Sequence, residues 1–184
     1  SGGTGFAETV FIVDTVSPVL GINPVITPTR ITSQTITGMR ESGVAINVSV
    51  NTAATVGVVE YPTATTWSVP VSGLAEGSNT ITVAASDAAA NNSTVSANIT
   101  LDTIAPVVGI ASPTSGLFNS RTPVLTYSVS DGTIVVSVDG VVITKASGDT
   151  LGPFADGPHT VRVEATDAAG NTGFAEVSFT VDAT

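Results

Sequence analysis

Apolar and polar residues alternate along much of this chain. In the stretch from His159 to Asp167, Val161, Val163 and Ala165 alternate with Thr160, Arg162, Glu164 and Thr166. A period of two puts the first set on a core and the second in water, which predicts a half-buried β-strand. Asp139-Gly140 stands between two Val-rich runs and predicts a tight hairpin, because both central residues of such a turn take positive φ. No segment carries the 3.6-residue period with caps that a helix needs. Gly, Pro, Asn and Asp break the pattern every ten residues or so, as in a β-sandwich of about seven strands. The predicted strands start near Val16, Ile31, Val44, Val56, Thr65, Asn79 and Thr94, then near Val107, Pro123, Thr133, Val141, Thr150, His159 and Phe174.

The pattern repeats. Glu76–Asp102 aligns with Asp156–Asp182 without a gap at a constant offset of 80 residues. Thr4–Asp14, TGFAETVFIVD, aligns likewise with Thr172–Asp182, TGFAEVSFTVD. Two of the three matches run into similar junctions, DTVSP at Asp14–Pro18 and DTIAP at Asp102–Pro106. Repetition on this scale predicts stacked modules. The expected division is residues 1–14 as the terminal strand of a preceding repeat, 15–102 as a first domain and 103–184 as a second, the whole being a fragment of a longer array. The N-terminal strand is expected either to fray or to pair with an exposed sheet edge.

Composition narrows the partners. Of 184 residues, 42% are hydrophobic and only 11% charged, so Thr, Ser and Asn must supply most of the polar surface. Fifteen acidic residues against five basic ones give a net charge of −10, which opposes binding to nucleic acid or to anionic lipid. No apolar run reaches the ~20 residues of a membrane-spanning helix, so direct membrane insertion is not expected. Without cysteine there are no disulfides and no thiolate metal sites.

The acidic residues are expected to gather. With an odd number of antiparallel strands, a chain enters each domain at one pole and leaves at the other. The second-to-third loop, the sixth-to-seventh loop and the preceding junction then share the entry pole. In the first domain these places hold Glu41, Asp87 and Asp14, with Asn91 closing the DAAAN turn. In the second they hold Asp131, Asp167 and Asp102, with Asn171 closing DAAGN. Carboxylates crowded together repel unless a cation joins them, and Ca2+ takes 6 to 8 oxygen ligands, amide and carboxylate oxygens included. Calcium that stiffens the junction is therefore one expectation. The other is that Asp and Asn serve as turn formers bonded to their own backbone. Gly170 corresponds to Ala90, so a positive φ there would strain the first turn.

The DTxAP-like junctions, the DAAGN turn before the last strand, the [DE]G turn before the sixth strand and TGMRESG at Thr37–Gly43 together resemble the bacterial Ig-like repeats of large secreted adhesins and surface proteins. The resemblance covers both repeats. It implies two tandem immunoglobulin-like, Greek-key β-sandwich domains in an all-β fold, and an extracellular, cell-surface setting. Neighbouring repeats of the same chain would be partners, along with a surface receptor or glycan. It further implies a structural or adhesive role, and calcium at Asp14, Glu41, Asp87, Asp102 and Asp167, several members binding that ion near their junctions.

Catalysis is not expected. His159 is the only histidine, and it is read as lying on the outward side of its strand or in a turn. Nucleophile elbows, HExxH and phosphate-binding loops are missing. Lys145 is the only lysine, so an isopeptide crosslink is excluded from the first domain. The competing reading is an accessory carbohydrate-binding or linker module of an exported polysaccharide-active enzyme, with Trp67 and Tyr61 as a stacking platform. Trp67 alternates with Ser68 and Val69, which favours core packing instead.

Overall fold

The computed structural model describes Gly5 and residues 10–184, and every element in them is a β-strand or a turn. Residues 1–4 and 6–9 of the expected N-terminal strand lie outside the described residues. The chain forms two compact units, Thr32–Thr100 with the chain up to Ile26, and Leu101–Thr184 with Thr27–Ile31.

The first unit contains β1 (Leu20–Ile22), β2 (Ser33–Arg40), β3 (Ile46–Val50), β4 (Thr55–Val56), β5 (Glu60–Thr63), β6 (Thr66–Ser72), β7 (Gly77–Ser86) and β8 (Asn92–Leu101). One sheet runs β1-β2-β6-β4 with β5 also on β6, and the other runs β3-β7-β8. The chain crosses between the sheets from β2 to β3, from β3 to β4 and from β6 to β7, as in a Greek-key sandwich. Ile36, Trp67, Val69 and Val71 from the first sheet and Val48, Ile81, Val83 and Ile99 from the second are buried. Each is worth about 1.5–3 kcal/mol in burial. Trp67 is 1% exposed, and its Nε1 donates to the carbonyls of Gly21 and Met39 at 3.1 Å each. Gly38 makes room for it, since a Cβ there would stand 2.0 Å from the Gly21 carbonyl oxygen and 2.5 Å from the indole ring. Trp67 therefore cannot serve as a sugar platform. Tyr61 is no better placed, with the Arg40 guanidinium 3.8 Å from its ring centroid.

The second unit contains β9 (Val108–Ser112), β10 (Gly116–Phe118), β11 (Thr126–Val129), β12 (Thr133–Val138), β13 (Val141–Ile143), β14 (Gly157–Thr166) and β15 (Thr172–Val181). Five strands form β10-β15-β14-β12-β13, facing the pair β9-β11. Leu125, Val136, Leu151, Phe154, Val161, Val163, Phe179 and Val181 make the core between them. The expected hairpin is present: Val138 pairs Val141, and Asp139 and Gly140 have φ of 49° and 79°.

Three expectations need correction. The strand expected at Thr150 is one isolated bridge to Val124, because Gly152 and Pro153 interrupt it, although Leu151 and Phe154 still reach the core. β10, which pairs in parallel with β15, lies in SPTSGLF, where Pro113 and Gly116 leave no alternation to read. His159 does not point outward. Period two puts it on the face of Val161 and Val163, and its side chain is only 14% exposed.

Candidate functional site

The turn between the last two strands of each unit builds the same clasp. In the first, Asp87 Oδ1 accepts the backbone N–H groups of Ala89 and Asn91, both at 2.9 Å. Its Oδ2 accepts Asn91 Nδ2 at 2.9 Å, and that amide also donates to the Asp14 carbonyl at 3.1 Å. In the second unit, Asp167 Oδ1 accepts the Asn171 N–H at 2.8 Å and Oδ2 accepts Asn171 Nδ2 at 2.9 Å. Asn171 Nδ2 reaches the Asp102 carbonyl at 2.8 Å. The carboxylate orients the amide, and the amide holds the junction backbone. Asp167 and Asn171 are buried, both 8% exposed, whereas Asp87 and Asn91 are half-buried.

The junction aspartates use their own side chains locally. Asp14 Oδ1 accepts Val16 N–H at 3.0 Å and Asp102 Oδ1 accepts Ile104 N–H at 3.1 Å, the Asx turn that such residues form readily. The proline ending each junction lies against the start of the strand that follows the turn, β8 or β15. Ser93 Oγ donates to the Pro18 carbonyl at 2.6 Å. Its counterpart Gly173 approaches so closely that a Cβ would lie 1.9 Å from the Pro106 carbonyl oxygen. Ser93 and Gly173 were not anticipated, though the offset of 80 residues superposes them.

Hydrogen bonding sets the charge state. The Asn91 side chain holds the Asp87 carboxyl below its ordinary value against a smaller opposing effect of burial. For Asp167 burial is the largest single influence and pushes upward, but the side-chain and backbone donors of Asn171, Ala169 and Gly170 together outweigh it and leave the pKa lowered. Both carboxylates are anions that prefer N–H donors.

The remaining expected ligands are dispersed. Glu41 Oε2 accepts Val19 N–H at 3.2 Å, and Glu41 N–H donates to the Val19 carbonyl at 2.8 Å. Asp131 is exposed and accepts Ser130 Oγ at 3.3 Å. Asp14, Glu41 and Asp87 line one open depression of about 510 Å3. Among the described residues, no three or more His, Cys, Asp or Glu side chains stand close enough to hold a metal ion.

A second polar site lies near the start of β7 in the first unit and of β14 in the second. Asn79 is fully buried: Oδ1 accepts Ala75 N–H at 2.9 Å and Thr52 Oγ1 at 2.8 Å, while Nδ2 donates to the carbonyls of Ala75, Gly77 and Ile99. His159, its counterpart at the offset of 80, bonds Asp139 Oδ2 through Nδ1 at 2.7 Å and the Ala155 carbonyl through Nε2 at 3.0 Å. Its ring packs on Phe154 at 4.5 Å and on Phe179 at 5.9 Å. The hydrogen bond to Asp139, then that to the Ala155 carbonyl, raises the His159 pKa.

Residues 24–103 match the family described as "Bacterial Ig-like domain". No curated protein matches the chain. Among solved structures, the fibronectin(III)-like modules of Clostridium thermocellum CbhA are similar at 19% identity and a TM-score of 0.48, covering 89% of this chain and 94% of that one. The N-terminal Ig1-2 module of the Drosophila receptor protein tyrosine phosphatase DLAR is similar at 12% identity and a TM-score of 0.38, covering 91% and 100%. Domains 5-6 of the S-layer protein SbsC are similar at 17% identity and a TM-score of 0.36, covering 91% and 100%. The two-sheet Greek-key core and the TGMRESG stretch, whose Gly38 makes room for Trp67, accord with the match of residues 24–103 to the bacterial Ig-like family.

Proposed function

We propose that this chain is a non-catalytic structural and adhesive segment of a secreted or cell-surface bacterial protein, with its neighbouring repeats as its first partners. The observation that carries this reading is the Asp–Asn clasp, present in both units and closed each time on a junction carbonyl. A junction held twice in the same way suits a spacer, because a fixed junction transmits force and limits the directions in which a ligand-bearing tip can point. Pulling the chain from its two ends tests this. Two separate unfolding events are expected, with Asn91→Ala and Asn171→Ala each lowering the force of one of them. A single low-force extension unaffected by either substitution would contradict it.

Calcium is the second reading, favoured by the one depression that Asp14, Glu41 and Asp87 line together. Side-chain rotation would have to bring their oxygens to about 2.3–2.6 Å from the ion. Binding at 100 times the dissociation constant would add about 2.7 kcal/mol to the stability of the first unit. Equal unfolding midpoints in calcium and in EDTA would rule it out.

A further inference from the structure

The two units part company at one sheet edge. Thr35 pairs Pro70 in the first, and Val124 pairs Thr150 at the matching place in the second. Pro70 and Thr150 are related by the offset of 80 residues, and beside them Val71 and Leu151 are both buried. In the first unit the far edge of β6 is covered: Thr55 and Val56 pair Ser72 and Val71, the Gly57 N–H donates to the Pro70 carbonyl at 2.8 Å, and Glu60 pairs Ser68. In the second, no strand among the described residues pairs there. The Thr150 N–H and carbonyl point away from Val124, because the flanking bonds run from Leu125 to Asp149 and from Leu151 to Pro123. Chain length is the cause. Val50 and Val138 are equivalent, pairing Ile81 and Val161. From there to Trp67 the first unit has residues 51–66, whereas from there to Ser147 the second has residues 139–146, half as many. These go into the Asp139-Gly140 hairpin and β13, which stays on β12.

The side chains leave a cleft beside the bare edge. Trp67 and Val69, both buried, give way to Ser147 and Asp149, both exposed. Ile134 lies on the face of Val136, yet it is 41% exposed against 3%. A cleft of about 470 Å3 opens among Tyr127, Ile134, Val136, Ile143 and Asp149, with Lys145 on its wall. The Asp149 carboxylate is engaged by the Ala146 N–H at 2.8 Å. Lys145 is the one lysine and pairs with no carboxylate among the described residues, whereas all four arginines donate to a carbonyl or a carboxylate. An unpaired strand edge, an apolar cleft and an uncommitted cation together suit an extended anionic peptide.

We infer that this edge of the second unit receives an extended, acidic peptide segment of a partner protein, laid antiparallel beside residues 148–152 as β4 lies beside β6. The segment's backbone bonds Thr150, its inward apolar side chains take the place that Val56 has opposite Val71 and fill the cleft, and its carboxylate meets Lys145. This deepens the adhesive reading, on which it rests, by giving that role a surface and a class of ligand.

The first unit supplies the probe, a fluorescein-labelled peptide of residues 53–63, AATVGVVEYPT, titrated into the full chain at low ionic strength. Saturable binding is expected, with amide shifts in NMR spectra concentrated at residues 141–151. Lys145→Glu, at an exposed position, should weaken binding at least ~10-fold while the unfolding midpoint of the second unit stays in place, and a peptide carrying Glu60→Lys should recover it. A peptide carrying Gly57→Pro, which lacks the N–H that Pro70 accepts in the first unit, should also bind at least ~10-fold more weakly. Absence of saturation, shifts concentrated elsewhere, or indifference to the charge swap or to the proline would overturn the inference. So would binding of a glucuronic acid oligosaccharide in place of the peptide. The pulling experiment reads the clasp and depends on none of these results.

Discussion

The two units solve one problem with different side chains. Each must hold the turn before its penultimate strand, β7 or β14, against the neighbouring loops, and each does so from equivalent positions, Asn79 in the first and His159 in the second. Asn79 is uncharged, fully buried and bonded to four partner residues. His159 is partly exposed, and its hold depends on an ion pair with Asp139. A neutral amide works at any pH, while an imidazolium–carboxylate pair works in a window. Likewise, the DAAAN turn puts Ala90 at φ 67° where DAAGN puts Gly170 at φ 87°. The first unit has the better polar anchor and the worse turn.

The largest expected effect breaks that anchor. Asn79→Ala strands the Ala75 N–H and several carbonyls in a dry site, each unsatisfied group costing about 1–3 kcal/mol, so the first unit should lose roughly 2–4 kcal/mol in denaturant unfolding. The transition of the second unit should stay in place.

Next comes the clasp. Asn171→Ala removes the donor that serves both Asp167 and the Asp102 carbonyl in a buried setting and should cost about 1–3 kcal/mol. Asn91→Ala, in a half-buried one, should cost less. Equal losses would mean that burial does not govern the clasp.

Acidity separates the units more gently. His159 is raised, so its contribution is full below the ordinary histidine value of 6.5 and fades as pH climbs through the elevated one. Asp139 is lowered: burial pushes it up, but the bonds from His159 and Thr160 prevail, so its contribution is present above 3.8 and lost as pH falls through the lowered value. The second unit should therefore be most stable between those limits, and His159→Asn should flatten its alkaline side. Asp87 and Asp167 are both lowered, so both units should weaken together in acid. A pH scan of the two unfolding midpoints checks all of this.

The smallest effect is the turn. Ala90→Gly should stabilise the first unit by about 1 kcal/mol by relieving a left-handed residue, and Gly170→Ala should destabilise the second by a similar amount.

What the sequence made legible follows from how local the signals are. The Asp139-Gly140 hairpin and the strain at Ala90 are properties of a few adjacent residues, and both are present. β10 was not legible because its partner is parallel and distant. His159 was misassigned although the alternation carried its direction, because period two from Val161 already puts it inside. The acidic residues of the first unit do share a pole, but spacing alone cannot say that Asp87 and Asp167 spend their oxygens on N–H donors. Only the folded turn brings those donors within 3 Å.

The account stands or falls on the clasp. Its most direct test is hydrogen exchange at residues 104 and 107, junction amides that donate to Asp102 Oδ1 and Ser130 Oγ, in the unaltered chain and in Asn171→Ala. The account predicts that Asn171→Ala speeds exchange there by ~10-fold or more while the β14 amides between Val161 and Ala165 stay protected. Unchanged exchange at the junction would show that Asn171 fills a turn without holding the chain.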